Sequence, residues 1–203
     1  MLKVGLTGSI ATGKSLVSRY LQELGAYNID YDVLSREVVE PGLPAWQDIV
    51  DYFGENILQP DRKLDRTKLG KIVFDDEAKR KKLESFIHPR VYIEADHQEK
   101  AFVESDADAV VVHEVPLLFE VGRDKAMDKT VVVYASEENQ LKRLMTRDGM
   151  SKEDARSRIR SQMSVEDKRR QANYVIDNNG TIEETKRQVQ DLYRKLTALA
   201  KKK

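Results

Sequence analysis

Apolar positions in this chain gather in short valine-rich runs, separated by longer stretches in which they recur at helical spacing. Residues 2–6, 109–112 and 131–135 lack strict polar alternation, the pattern of strands buried on both faces. Residues 26–29 and 174–176 are weaker runs of the same kind. The order strand, helix, strand, helices, strand, helix, strand, helices, strand, helix predicts an α/β fold, a doubly wound five-stranded parallel sheet. Parallel strands require such crossovers. Helix starts are signalled by Ser151 three residues before Asp154 and by Thr181 three before Glu184, the second following the turn Asn178-Asn179-Gly180. The last helix is expected from about Ile182 into the lysine tail. Pro89 predicts a break in a long helical stretch, giving helices over 76–87 and 89–103 with His88 at the corner between them.

Two connections are too long for single crossovers. Residues 33–104 have room for about four helices, including 46–53 and 67–74, and residues 137–171 form a second helical insertion. The expected organisation is one unit over 1–203, with its core in 1–32, 105–136 and 172–203 and the two insertions added to it. Composition narrows the classes. The 203 residues carry 35 Lys+Arg against 35 Asp+Glu and no cysteine, which removes disulfide frameworks, thiolate metal sites and thiol nucleophiles. Zero formal charge argues against a partner held by bulk electrostatics, so no nucleic acid is expected. The longest apolar run, 131–135, is far short of the ~20 residues that span a bilayer, so no membrane partner is expected. The opening residues read as a strand rather than a leader, and a cytoplasmic location is expected. Charge is nevertheless uneven. Residues 142–170 hold ten Lys/Arg against five acids, a net +5.

Gly8-Ser9-Ile10-Ala11-Thr12-Gly13-Lys14-Ser15 fits G-x-x-x-x-G-K-[ST], after a strand and before a helical pattern. Such a loop wraps backbone N–H groups around a polyphosphate, with Lys14 reaching the β and γ phosphates and Ser15 offering a hydroxyl to Mg²⁺. It signals a nucleoside triphosphate without saying whether a GTPase, a motor ATPase or a kinase uses it. Asp30 and Asp32 follow the second strand, where doubly wound sheets place ligands. Asp32 is read either as a general base for an attacking hydroxyl or as a helix cap. Arg143 and Arg147, four apart on a helix expected over Glu137–Asp148, share a face and are placed to converge on phosphate oxygens. Arg156, Arg160 and the Lys168-Arg169-Arg170 run either join them or form a solvated face. His88 is either a phosphate donor or a hydrogen-bonded corner residue.

Several separated stretches resemble one family, the dephospho-coenzyme A kinases. Val4 to Ser15 is similar to that family's G-L-T-G-G-I-x-S-G-K-S, and residues 29–32 to its I-D-x-D. His88-Pro89 and Val115-Pro116-Leu117-Leu118-Phe119-Glu120 are similar to its H-P and V-P-L-L-F-E. Arg143 to Arg147 matches R-L-x-x-R, and Gln162-Met163-Ser164 and residues 172–180 complete the series. The resemblance implies a P-loop NTPase-like fold that uses ATP and Mg²⁺ to phosphorylate the ribose 3′-hydroxyl of dephospho-coenzyme A. It implies Asp32 as base, Lys14 and Arg143 as catalytic groups and Ser15 as metal ligand. ATP would be held by Gly8, Ala11, Thr12, Gly13, Lys14, Ser15, Leu16, Arg147, Asn178 and Gly180. The acceptor would lie near His88, Leu117, Leu118 and Phe119, with 33–104 as acceptor subdomain and 137–171 as lid. Ser9, Ala11, Leu16 and the pair His113-Glu114 depart from the family pattern. A kinase of another small acceptor remains an alternative; so does a nucleotide switch, although no guanine-reading N-K-x-D occurs.

Overall fold

The computed structural model describes residues 1–74 and 76–202. Asp75, inside the expected 33–104 insertion, and Lys203, at the end of the lysine tail, lie outside the described residues. Five strands, β1 (Leu2–Thr7), β2 (Tyr27–Asp30), β3 (Val110–Glu114), β4 (Lys129–Tyr134) and β5 (Tyr174–Asp177), form one parallel sheet in the order β2-β3-β1-β4-β5. The connections leaving β1 and β3 run in opposite directions across the sheet, to β2 and to β4. Their C-terminal ends therefore flank the crevice where such sheets bind ligands.

Contacts divide the chain into two compact units, Met1–Asp30 with Glu99–Lys203, and Tyr31–Gln98. In the first, Val4 and Leu6 of β1, Val110 and Val112 of β3, and Val131 and Val133 of β4 point to one side. Helix α1 (Lys14–Glu23) covers them with Val17 and Leu21, and α9 (Ile182–Ala200) with Val189, Leu192 and Leu196. The 4-3-4 spacing of Thr185, Val189, Leu192 and Leu196 makes a single buried stripe. Truncating Leu196 to alanine there costs about 2–5 kcal/mol. The expected capping box of Thr181 and Glu184 opens α9.

The second unit is helical: α2 (Tyr31–Glu37), α3 (Pro44–Phe53), α4 (Arg66–Phe74) and the start of α5 (Glu77–Ser105). Its own core joins Trp46, Ile49 and Val50 to Ile57, Leu64 and Leu69. Trp46 Nε1 donates to the Arg62 carbonyl at 2.9 Å, and the Arg62 guanidinium lies over the indole.

The expected break at Pro89 does not occur; α5 runs through it for 29 residues. Proline removes one ladder donor and crowds the carbonyl four residues back. Arg90, the next residue, donates from its guanidinium to the Phe86 carbonyl at 2.7 Å and pairs through its other terminal nitrogen with Asp48 at 2.6 Å, tying this stretch of α5 to α3. His88 is consequently a mid-helix residue. After β4, residues 137–171 fold as α6 (Glu137–Asp148), α7 (Lys152–Arg160) and α8 (Val165–Gln171), each opened by a serine whose hydroxyl accepts a backbone N–H. Among the described residues, no helix is long and apolar enough to cross a membrane.

Candidate active site

Residues 8–13 link β1 to α1, and the local chain geometry admits few substitutes. A Cβ on Gly8 would lie 2.5 Å from Thr12 Oγ1 and 2.9 Å from the Val133 carbonyl oxygen. Gly13, with φ +94°, caps α1 in the left-handed region, and a Cβ there would collide with Asn178 Nδ2. Ala11 also adopts a left-handed conformation, φ 59°, which explains on steric grounds why glycine suits that position. No side chain caps α1 and no acidic residue sits in its first turn. Its positive end is therefore left to an anion.

Lys14 at the head of α1 pairs with Glu114 at the end of β3, Nζ to Oε1 2.6 Å, both side chains mostly buried. Asp30 stands opposite Glu114 in the β2–β3 register. Two carboxylates and an ammonium thus share the C-terminal edge of the sheet, and the exposed Ser15 follows Lys14 in the helix.

Arg143 and Arg147 lie on α6 as expected but have different partners. Arg143 Nη1 donates to the carbonyls of Ala11 (3.1 Å) and Thr12 (3.2 Å), and Nη2 to that of Asn178 (2.6 Å). Arg147 instead forks onto its neighbour Asp148 at 2.7 and 2.8 Å, an exposed pair that raises the arginine's pKa and lowers the carboxyl's. The two guanidinium groups thus have different protein partners, one a clip on the loop and the other a local fork. Asn178 closes the clip: its Nδ2 donates to the Thr12 carbonyl at 2.7 Å, and its Oδ1 accepts from Thr185 at 2.8 Å. Beside these groups is a cavity of about 610 Å³ lined by Ala11, Gly13, Leu16, Asn139, Lys142, Arg143, Thr146, Arg147, Asn178, Gly180 and Ile182. Six of the ATP-side residues expected from sequence line that single space. Gly8, Thr12, Lys14 and Ser15 belong to the adjoining loop and helix start.

Leu117, Leu118 and Phe119 follow β3. Leu117 is exposed and Phe119 half-buried, whereas Leu118 is fully buried with its methyl groups in the space a Gly5 Cβ would occupy. Leu118 is therefore a core contact rather than an open acceptor surface. In the second unit, Asp32 occupies the first turn of α2. Its neighbour Tyr31 packs near Tyr92 (6.3 Å between centroids), and Tyr92 near His88 (6.1 Å), so the start of α2 and the middle of α5 are brought together.

Other groups around the loop were not assigned roles from sequence. Ile10 N–H donates to Gln162 Oε1 at 2.9 Å, and Ser9 Oγ to the Met163 carbonyl at 3.2 Å. Lys168, counted above with a basic run, is fully buried and bonded to Glu120 and the Pro116 carbonyl. Burial lowers its pKa, Glu120 opposes that shift, and the charge of Lys14 adds to it. Arg169 and Arg170 beside it are exposed. The Gln162-Met163-Ser164 and V-P-L-L-F-E strings were the signal available, but a charge run gives no sign of which member turns inward.

The sequence model of one family, described as dephospho-CoA kinase, matches residues 2–184. A curated dephospho-CoA kinase of Carboxydothermus hydrogenoformans is 48% identical over 192 residues, 95% of this chain and 93% of the relative. Among solved structures, that of TT1252 from Thermus thermophilus superposes with a TM-score of 0.82 at 32% identity, covering 96% of this chain and 97% of the other. Dephospho-CoA kinase from Campylobacter jejuni gives 0.65 at 28%, covering 96% of both.

Proposed function

The chain belongs to the dephospho-CoA kinase family, and from that premise we propose that it transfers the γ-phosphoryl group of ATP to the ribose 3′-hydroxyl of dephospho-coenzyme A, giving coenzyme A and ADP. It is a kinase, a transferase of coenzyme A biosynthesis. The observation that carries the residue assignments is the left-handed Gly13 at the head of an uncapped α1, beside the cavity bounded by Arg143 and Asn178. Backbone N–H groups of residues 8–15 hold the phosphates, Lys14 neutralises them, and Leu16, Arg147, Asn178 and Gly180 line the side that takes the nucleoside.

In the reaction, the 3′-hydroxyl oxygen forms a bond to the γ-phosphorus as the bond to the β,γ-bridging oxygen breaks. The hydroxyl proton passes to Asp32, and ADP carries away the displaced oxygen's charge. Arg143, already set against the loop, offsets charge developing on the phosphoryl oxygens. His88, Leu117 and Phe119 bind the acceptor, the helical insertion 33–104 supplies its subdomain, and 137–171 acts as a lid that excludes water.

The donor set at the sheet edge fits Mg²⁺. Ser15 hydroxyl and Glu114 carboxylate are hard oxygen ligands, and this ion needs only one or two from protein when phosphates supply others. Bound there, it would supply charge neutralisation across the β and γ phosphates. The partners are the two small-molecule substrates, and the reaction is assigned to the cytoplasm as the compartment of both. Incubation with ATP, Mg²⁺ and dephospho-coenzyme A, with the added phosphoryl group located by ³¹P NMR, tests the reading. A 3′-phosphomonoester is expected; phosphate at another position, or an unchanged acceptor, overturns it.

A further inference from the structure

Lys168 is the largest fully buried side chain among the described residues. A buried ammonium carries a heavy desolvation cost, which makes its surroundings informative. Its Nζ donates to the Pro116 carbonyl and to Glu120 Oε1, both at 2.9 Å. The same Pro116 carbonyl accepts from Thr7 Oγ1 at 3.0 Å, at the end of β1 where the phosphate loop begins. The same Glu120 oxygen accepts from Met163 N–H at 3.3 Å. Residues 162 and 163 in turn hold the loop, Gln162 through Ile10 N–H and Met163 through Ser9 Oγ. One ammonium therefore joins the segment after β3, the turn between α7 and α8, and both ends of the Thr7–Ile10 stretch.

We propose that Lys168 is a positioning residue for phosphoryl transfer: acting through Glu120, it fixes the 162–163 turn against Ser9 and Ile10, so that the phosphate loop holds its ATP-binding form before ATP arrives. The proposal rests on the kinase reading. Its physical basis is that an unfixed loop must be ordered at the expense of binding free energy, which lowers apparent affinity by the fraction of molecules in the competent form. The effect reaches ATP through Ser9 and Ile10, the loop groups that the hub holds; Pro116 and Glu120 also bracket Leu117 and Phe119, so ATP binding is read with no acceptor present.

The test replaces Lys168 by methionine, which fills similar volume without charge. Mg·ATP affinity is read by calorimetry with no acceptor present, alongside thermal melting and amide exchange at Ile10. K168M is expected to bind ATP about tenfold more weakly and to exchange the Ile10 amide faster. Because Lys168 acts through Glu120, the double variant K168M/E120A should bind ATP no more weakly than K168M alone. Folded K168M with wild-type ATP affinity, or additive losses in the double variant, would overturn the proposal. A lowered melting temperature with ATP affinity and Ile10 exchange at wild-type values would also overturn it, since that is what a merely structural role gives. If K168M does not fold, E120A is judged by the same two readouts, its side chain being partly exposed. Binding is measured without acceptor, so a wild-type chain inactive on dephospho-coenzyme A would refute the kinase reading and leave the positioning role to be decided by the ATP data.

Discussion

The two units carry their candidate chemistry in different ways. In the first, the chemistry is backbone: a loop with no room for a Cβ at Gly8 or Gly13, clipped by Arg143, Asn178 and Gln162 through bonds that span more than 100 positions of sequence. In the second, it is side chains on helices, Asp32 in the first turn of the seven-residue α2 and His88 in α5, above a small core of Trp46, Ile49 and Ile57. A site made of backbone is set by folding and binds a common ligand, the polyphosphate. A site made of helix-borne side chains is altered residue by residue, which suits a particular acceptor. Changes in the second unit should therefore damage turnover and spare nucleotide binding, whereas changes around the loop should reach both.

The strongest break of that contrast is Asp32→Asn. Turnover should fall about a thousandfold while calorimetric Mg·ATP affinity stays near wild type. A comparable loss of ATP affinity would erase the distinction between the units.

Acid should act through the first unit's sheet. His113 is fully buried on β3, and burial, followed by the charges of Arg123 and Lys3, lowers its pKa to about 4. The unfolded chain takes up this proton near pH 6.5 and the folded chain only near 4. The stabilisation is thus complete above about 6.5 and is lost as pH falls through about 4, amounting to about 3 kcal/mol. Melting curves between pH 7 and 4 should show this slope, and His113→Gln should flatten it.

Arg143→Ala should slow transfer about a hundredfold and loosen the Ala11–Thr12 turn, with the acceptor KM nearly unchanged. An effect confined to acceptor KM would move Arg143 to the other side of the comparison. The smallest change is Ala11→Gly. Relief of the left-handed alanine should raise stability by about 0.5–1 kcal/mol in denaturant titration, with turnover held within about twofold.

The sheet and the loop were legible in sequence because each is a local pattern: valine runs for strands, a glycine spacing for the phosphate turn. The comparison of α5 with its expected break at Pro89 shows where local reading ends. The helix continues through the proline, and Arg90 just beyond it is tied to Asp48, 42 positions away, a partner that no local window of sequence contains. Arg143 and Arg147 share a helix face as the spacing requires, yet the partner of one is a distant backbone and that of the other an adjacent carboxylate. Lys168 is hidden for a similar reason. Within Lys168-Arg169-Arg170 the helical phase turns one residue inward, and only the arrival of Glu120 and Pro116 makes that burial tolerable.

The most direct test of the account follows ADP and phosphorylated acceptor together in one reaction containing ATP and Mg²⁺, with and without dephospho-coenzyme A. The account predicts one ADP per molecule of acceptor phosphorylated and near-zero ADP without acceptor. ADP formed at the same rate whether or not acceptor is present would contradict it and identify the loop with nucleotide hydrolysis instead.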